Sequence, residues 1–327
     1  MTWTVALSNL VLAVYGFTFI TGLPANLLAF YAFCRKIHKK STPMDVLLLS
    51  LTISDLIFLF ILPFRMIDAA NTEWMLPYDF CLWTGFISYS TIYNSTVHLT
   101  AISVERYLGV AFPIKYKLKR NPRNAAIAVI FIWLISFAHY SIVYSMQYHN
   151  RSSPNITDPS ERRDTCYKEF SQKEARIPVP LRLEIFGVLL CAPFLICCFC
   201  YIKFIHILYN LPDMNAKIRK RAIGMAVATL FVFIICLMPF SISNVVGYGD
   251  SNGTEWRLYA LVTCTLNACL DPFIFYFSSS AFRETFKSVL RELIRRMAML
   301  GCHSASTVSC LKMGQQRREQ RDHIPMV

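Results

Sequence analysis

Seven apolar runs recur along the 327-residue chain. They lie at about 8–33, 45–68, 79–110, 123–147, 179–209, 216–247 and 256–278. Each has the ~20 residues that a helix needs to cross roughly 30 Å of hydrocarbon. In lipid the backbone must bond to itself, so runs of this length fold as helices. The expected fold class is an all-α membrane protein, a seven-transmembrane helix bundle. Residues 280–297 add a short amphipathic eighth helix, with Phe282, Phe286, Leu290 and Leu293 at helical spacing opposite Arg283, Lys287, Arg291 and Arg295. This gives one membrane domain over 1–297, in contact with membrane lipids, and a cytoplasmic tail over 298–327 expected to be disordered. Charged residues make up only 16% of the chain, against about 25% in soluble domains. No soluble domain and no internal repeat is legible.

The net charge of +13 is explained by where it falls. Arg35, Lys36, Lys39 and Lys40 fill the first connection. Lys115, Lys117, Lys119, Arg120 and Arg123 fill the third, and Lys217, Arg219, Lys220 and Arg221 the fifth. Alternate connections are therefore cytoplasmic and the N-terminus is extracellular. No basic stretch is interleaved with aromatics, so nucleic acid is not an expected partner. Met1 to Leu10 holds no basic region ahead of the apolar run, and the first span itself would direct insertion. Sequons at Asn150, Asn155 and Asn252 fall in outer loops and are expected to be glycosylated, whereas Asn94 lies mid-span. Of twelve cysteines, Cys81 and Cys166 lie in or beside outer loops, where an oxidising exterior would pair them. Cys197, Cys198 and Cys200 lack His or acid partners and read as small buried side chains. Cys302, just past the amphipathic stretch, is a candidate for palmitoylation.

Ionisable residues inside a membrane are costly and point to function. Glu105 and Arg106 close the third run, where the bland alternative is a snorkelling arginine. Asn26, Asp55, Ser95, Asn267 and Asp271 come from different runs, except that the last two share one. Asp271 precedes Pro272, which frees a backbone carbonyl. Two carboxylates in a low-dielectric interior need a proton or cation between them. A shared polar pocket holding water and Na⁺ at Asp55 is expected, the alternative being a purely structural hydrogen-bond network. At the outer ends stand Arg65, Arg182 and Arg257. Guanidinium forks bind carboxylates in pairs, so such residues converging make an anion receptor. Lipid headgroups are the alternative. Tyr89, Tyr93 and His139 can line the same pocket or simply pack.

Glu105-Arg106-Tyr107, Asn26, Leu51 to Asp55, Trp133, Pro193, Tyr201, Pro239 and Asp271-Pro272 appear in order, one set per span. The chain resembles the rhodopsin-like G-protein-coupled receptors in these residues. Over about residues 10–295 it is similar to the short-chain free fatty acid receptors. The stretches that carry this are Thr21 to Leu28, Leu62-Pro63-Phe64-Arg65, Glu105 to Pro113, Arg182-Leu183-Glu184 and Phe275 to Ser280. The resemblance implies a plasma-membrane receptor for short-chain carboxylic acids such as acetate, propionate and butyrate. It would signal through heterotrimeric G proteins of the inhibitory and Gq types and meet arrestin. Arg182 and Arg257 would hold the carboxylate, His139 and Tyr93 shape the pocket, and Glu184 join the arginine network. Glu105, Arg106, Tyr107 and Tyr201 would serve G-protein coupling.

The chain departs from these patterns in places. Asn244 stands where the fatty acid receptors have a histidine, and Phe240 where they have a tyrosine. Leu237 replaces the wider family's tryptophan, Phe275 its last-helix tyrosine, and Arg219 the acid that often locks Arg106. Among rival classes, a carboxylate transporter would show inverted repeats. A hydrolase would show a Gly-x-Ser-x-Gly or His-Glu-x-x-His motif. Neither is legible. A receptor for another anion, such as a medium-chain or hydroxy acid or a nucleotide, is the nearer alternative.

Overall fold

The computed structural model describes residues 5–71, 78–119, 121–149, 183–184, 186–211, 215–246, 253–292 and 294–296. Helices α1 (Val5–Lys40), α2 (Pro43–Ala70) and α3 (Tyr78–Ala111) are followed by the short α4 (Pro113–Lys119) and by α5 (Pro122–His149). Helix α6 opens on a π turn, Gly187–Cys191, and continues as Ala192–Asn210. Helix α7 runs through Ala216–Val232, a π turn at Phe233–Leu237, and Met238–Val246. Helix α8 comprises Gly253–Thr265 and Asn267–Ser278. With α4 set aside, these are the seven membrane-length helices expected. Residues 280–292 and 294–296 are also helical. There Glu292 pairs with Arg295 at 3.3 Å and with Arg296 at 3.0 Å.

Among the described residues, six of the seven are long and apolar enough to cross a membrane. The exception is α3, which carries Ser, Thr, Tyr and Asn on its inner face. It can do so because Thr84, Ser88, Thr91, Thr96, Thr100 and Ser103 return their hydroxyls to carbonyls of their own helix at 2.7–2.9 Å. Lipid tails are as apolar as leucine, so burial from water does not drive helices together there. The distribution follows: Ile20 and Phe60 are over 70% exposed, while Asn26, Asp55, Asn94 and Asp271 are buried.

Proline sets the irregular turns. A proline lacks the N–H that would bond four residues back and pushes on that carbonyl. Both π turns end two residues before one, Pro193 and Pro239, where a wider turn relieves the clash. Pro272 acts similarly in α8 and leaves the Ala268 carbonyl without its helical donor. Asn26 of α1 takes it, donating from Nδ2 at 2.7 Å, and Nδ2 also reaches the Gly22 carbonyl at 3.0 Å. A Cβ on Gly22 would meet that Ala268 oxygen at 3.3 Å, so glycine permits the close approach. Replacing Asn26 with Leu orphans a buried carbonyl. The expected loss is about 1–3 kcal/mol, read as a lower melting temperature of the purified protein. Unchanged melting would mean that another donor serves Ala268.

Helix α1 runs about two turns past the apolar run that ends near residue 33. Its last turn is His38, Lys39 and Lys40, and cations suit a helix C-terminus. Lys36 also reaches Asp45 of α2 at 2.7 Å, while Thr42 caps α2 at its N-terminus.

Candidate ligand-binding site

The outer halves of α2, α3, α5 and α7, with Glu184 just ahead of α6, bring several of the singled-out residues together. His139 of α5 turns Nε2 to both Glu184 oxygens, at 3.1 and 3.2 Å. Facing a carboxylate, that nitrogen carries a hydrogen. The Tyr93 ring stands edge-on to His139, with centroids 5.2 Å apart. Tyr89 stacks on Tyr140 at 5.2 Å and lies 5.9 Å from Phe240 of α7. Arg65 of α2 lies beside Tyr15 of α1, with Asp68 and Tyr89 close enough to feel its charge. The result is an aromatic wall flanked by a histidine–carboxylate pair on one side and a guanidinium on the other.

Arg182 lies outside the described residues, as do Cys166, Asn150, Asn155, Asn252, Cys302 and the tail 298–327. Arg257 falls on the first half of α8 and Asn244 on α7, but their side chains lie outside the description. Cys81 is buried and disulfide-bonded. Tyr140 and Tyr15 were not singled out in the sequence. Tyr140 was legible as the neighbour of His139, one helical turn from Phe137. Tyr15 carried no local signal, because only the packing of α1 on α2 brings it to Arg65.

Deeper in the bundle, Asp55, Ser95 and Asn267 line one cavity, and Asp271 adjoins it. The Asp55 and Asp271 carboxyls lie within hydrogen-bond reach of each other, and Asn267 Nδ2 donates to Asp271 Oδ2 at 3.2 Å. A small cavity touches Asp55, Thr91, Ser95, Asn267 and Ala268, roofed by Leu237 where the wider family has tryptophan. About 10 Å³ of it is open to the centre of a water-sized sphere, space for one water or one small cation. Asp55 Oδ2, Asp271 Oδ1 and Asn267 Oδ1 are buried without a donor among the described residues. Hard oxygen donors of this kind suit Na⁺. Asn26 stands beside this group, bonded to α8 rather than to the carboxylates.

At the inner end, Glu105 and Arg106 do not pair. Glu105 accepts from the Tyr116 hydroxyl of α4. Arg106 donates from Nη2 to the Ser278 carbonyl at the end of α8, at 2.7 Å. Tyr107 packs edge-on against Phe199 of α6, and Tyr201 donates to Thr229 Oγ1 at 3.0 Å. Arg219 lies over the Tyr209 ring at 5.1 Å. Phe275 is fully buried against Phe33, whereas Tyr276 is 36% exposed, so the aromatic next to the wider family's tyrosine position faces outward. Cys197 and Cys200 are buried free thiols. Among the described residues no three His, Cys, Asp or Glu side chains form a metal-binding group.

Comparison with known proteins agrees with this geometry. Residues 25–275 match the family described as "7 transmembrane receptor (rhodopsin family)". Free fatty acid receptor 2 of Mus musculus is 44% identical over 94% of this chain and 93% of that receptor. Free fatty acid receptor 3 of Homo sapiens is 38% identical over 95% and 88%. Proteinase-activated receptor 1 of Xenopus laevis is more distant, 31% identical over 87% and 67%. The chain is thus a multi-pass membrane receptor, and it belongs to the free fatty acid receptors within the rhodopsin family.

Proposed function

We propose that this receptor sits in the plasma membrane with its N-terminus outside and responds to short-chain carboxylates such as acetate, propionate and butyrate. The observation that carries the reading is the outer cluster itself. Tyr89, Tyr93, Tyr140 and Phe240 crowd together beside the His139–Glu184 pair, in a chain whose relatives are named for free fatty acids. A carboxylate bridging Arg182 and Arg257 would put its aliphatic tail against those rings. A longer tail would have to displace them. Phe240 offers no hydroxyl, whereas the asparagine at 244 keeps a hydrogen-bond donor.

The signal would pass inward to Arg106, Tyr107 and Tyr201, which would meet a heterotrimeric G protein of the inhibitory or Gq type. Arrestin would recognise the same cytoplasmic face. Na⁺, when bound, would supply positive charge between Asp55 and Asp271, with Ser95 and Asn267 as further oxygen donors and Asn26 fixing α8 beside them. Cys81 would pair with Cys166, and Asn150, Asn155 and Asn252 would carry glycans.

A series of acids separates the readings. G-protein activation in cells expressing the receptor is expected to be strongest among acetate, propionate and butyrate and lost at octanoate. A maximum at octanoate, at a hydroxy acid or at a nucleotide would reassign the ligand. Uptake of radiolabelled acetate by vesicles holding the purified protein would instead point to a carboxylate transporter.

A further inference from the structure

Several hydroxyls on α3 are satisfied by its own backbone, but one stripe of the same helix is not. Ser90 Oγ, both polar atoms of the Asn94 carboxamide, and His98 Nε2 are buried without a hydrogen-bond partner among the described residues. Rotating the Asn94 amide cannot help, because both of its ends are unpaired. His98 uses only Nδ1, on the Asn94 carbonyl at 2.9 Å, so Nε2 is left as a bare acceptor. Ser54 of α2 and Ser136 of α5 also hold buried hydroxyls without a partner among the described residues. All five residues are at most 2% exposed.

Helical phase brings these atoms together. Ser90, Asn94 and His98 continue, in steps of four, from Phe86, which stacks on Phe137 of α5 at 5.9 Å. That stripe starts against α5 and turns by about 40° at each step of four, so its outer part faces α5. On α5, Ser136 lies between Trp133 and Tyr140, one turn from each. Tyr140 meets Tyr89 of α3, and Trp133 Nε1 donates to Ser50 of α2 at 2.9 Å. Helices α3 and α5 run in opposite directions, so one turn inward from the Tyr89–Tyr140 contact sets Ser136 beside Asn94. One turn outward from Ser50 is Ser54. Asp55 and Ser95, the next residues along, share the neighbouring cavity, which independently puts Ser54 and Asn94 at one depth.

We propose that α2, α3 and α5 enclose an internal water site, distinct from the Asp55 pocket, held by Ser54, Ser90, Asn94, His98 and Ser136. Orphaned buried polar groups are rare in native proteins, and buried water is the usual partner. Six unpartnered atoms, Oγ of Ser54, Ser90 and Ser136, Nδ2 and Oδ1 of Asn94, and Nε2 of His98, correspond to about two waters at roughly three hydrogen bonds each. The site flanks Tyr93 on α3, with Ser90 outward of it and Asn94 and His98 inward, so its waters tie the floor of the outer cluster to three helices at once. This inference stands on burial and geometry and does not depend on which acid the receptor binds.

Two measurements test it on the full-length receptor in detergent. A structure at a resolution that shows ordered water is expected to place two peaks within hydrogen-bond distance of the Asn94 carboxamide. A dry seam whose side chains bond one another directly overturns the proposal. Melting temperatures of Asn94→Leu, Ser136→Ala and the double variant form a cycle. Because one water serves both side chains, the double variant is expected to melt no lower than the worse single variant. Additive losses would show that they share nothing. Should Asn94→Leu fail to fold, the milder pair Ser54→Ala and Ser136→Ala supplies the same comparison.

Discussion

Replacing Arg257 with Ala is expected to lower propionate potency by at least about 100-fold, with receptor still at the cell surface, and Arg182→Ala should do the same. Propionate has about five non-hydrogen atoms, and a ceiling of ~1.5 kcal/mol per atom limits it to roughly −7.5 kcal/mol, a micromolar Kd at best. Most of that must come from the carboxylate, since the tail is so small. Removing one partner of a desolvated charge pair costs about 3–5 kcal/mol, and each 1.4 kcal/mol is tenfold. The response then leaves the attainable concentration range. Concentration–response curves for G-protein activation, beside surface labelling of the same cells, read the effect. Lysine at either position keeps the charge but loses the bidentate fork, so Arg→Lys should be intermediate. A full response in either Ala variant would remove the two-arginine pocket while leaving the receptor family untouched.

The second large effect lies at the opposite end of the bundle. Gly224 of α7 faces Phe277 of α8 so closely that a Cβ would come within 2.7 Å of its Cε1 and 2.9 Å of Cδ1. Beside this contact, Arg106 holds the Ser278 carbonyl. Arg219 stands in place of an acid, and these two contacts help tie the inner ends of α3, α7 and α8 together, an arrangement we call closed. Valine at 224 forces Phe277 or α7 to move, and overpacking of this kind costs about 1–3 kcal/mol. Carried by the closed arrangement alone, that shifts its balance with the open one by about 5–150-fold. Basal G-protein activation without any acid should therefore rise in Gly224→Val. Adding Phe277→Ala should restore the low basal level. If Gly224→Val signals no more than the parent, Phe277 has swung aside and the glycine contact does not hold the closed state.

The seven helices were legible because lipid leaves a chain so few options. An apolar run of sufficient length has to be a helix, and loop charge orders the connections. Individual residues were legible where the membrane makes them costly. Asp55 and Asp271 had to find each other, and Pro272 had to leave a carbonyl for something to take. Other features depended on tertiary packing. That Asn26 is the donor for Ala268 follows only from α1 lying against α8. Glu105 turns to Tyr116 and Arg106 to Ser278, although the two are sequence neighbours, because a side chain's partner is set by which helix faces it. The His139–Glu184 pair joins residues 45 positions apart, and Tyr15 of α1 comes to stand beside Arg65 of α2. The sequence alone determined which residues must be buried and how many helices bury them. The tertiary structure decided which polar atoms meet, because hydrogen bonds are short and directional while the preference for lipid is neither.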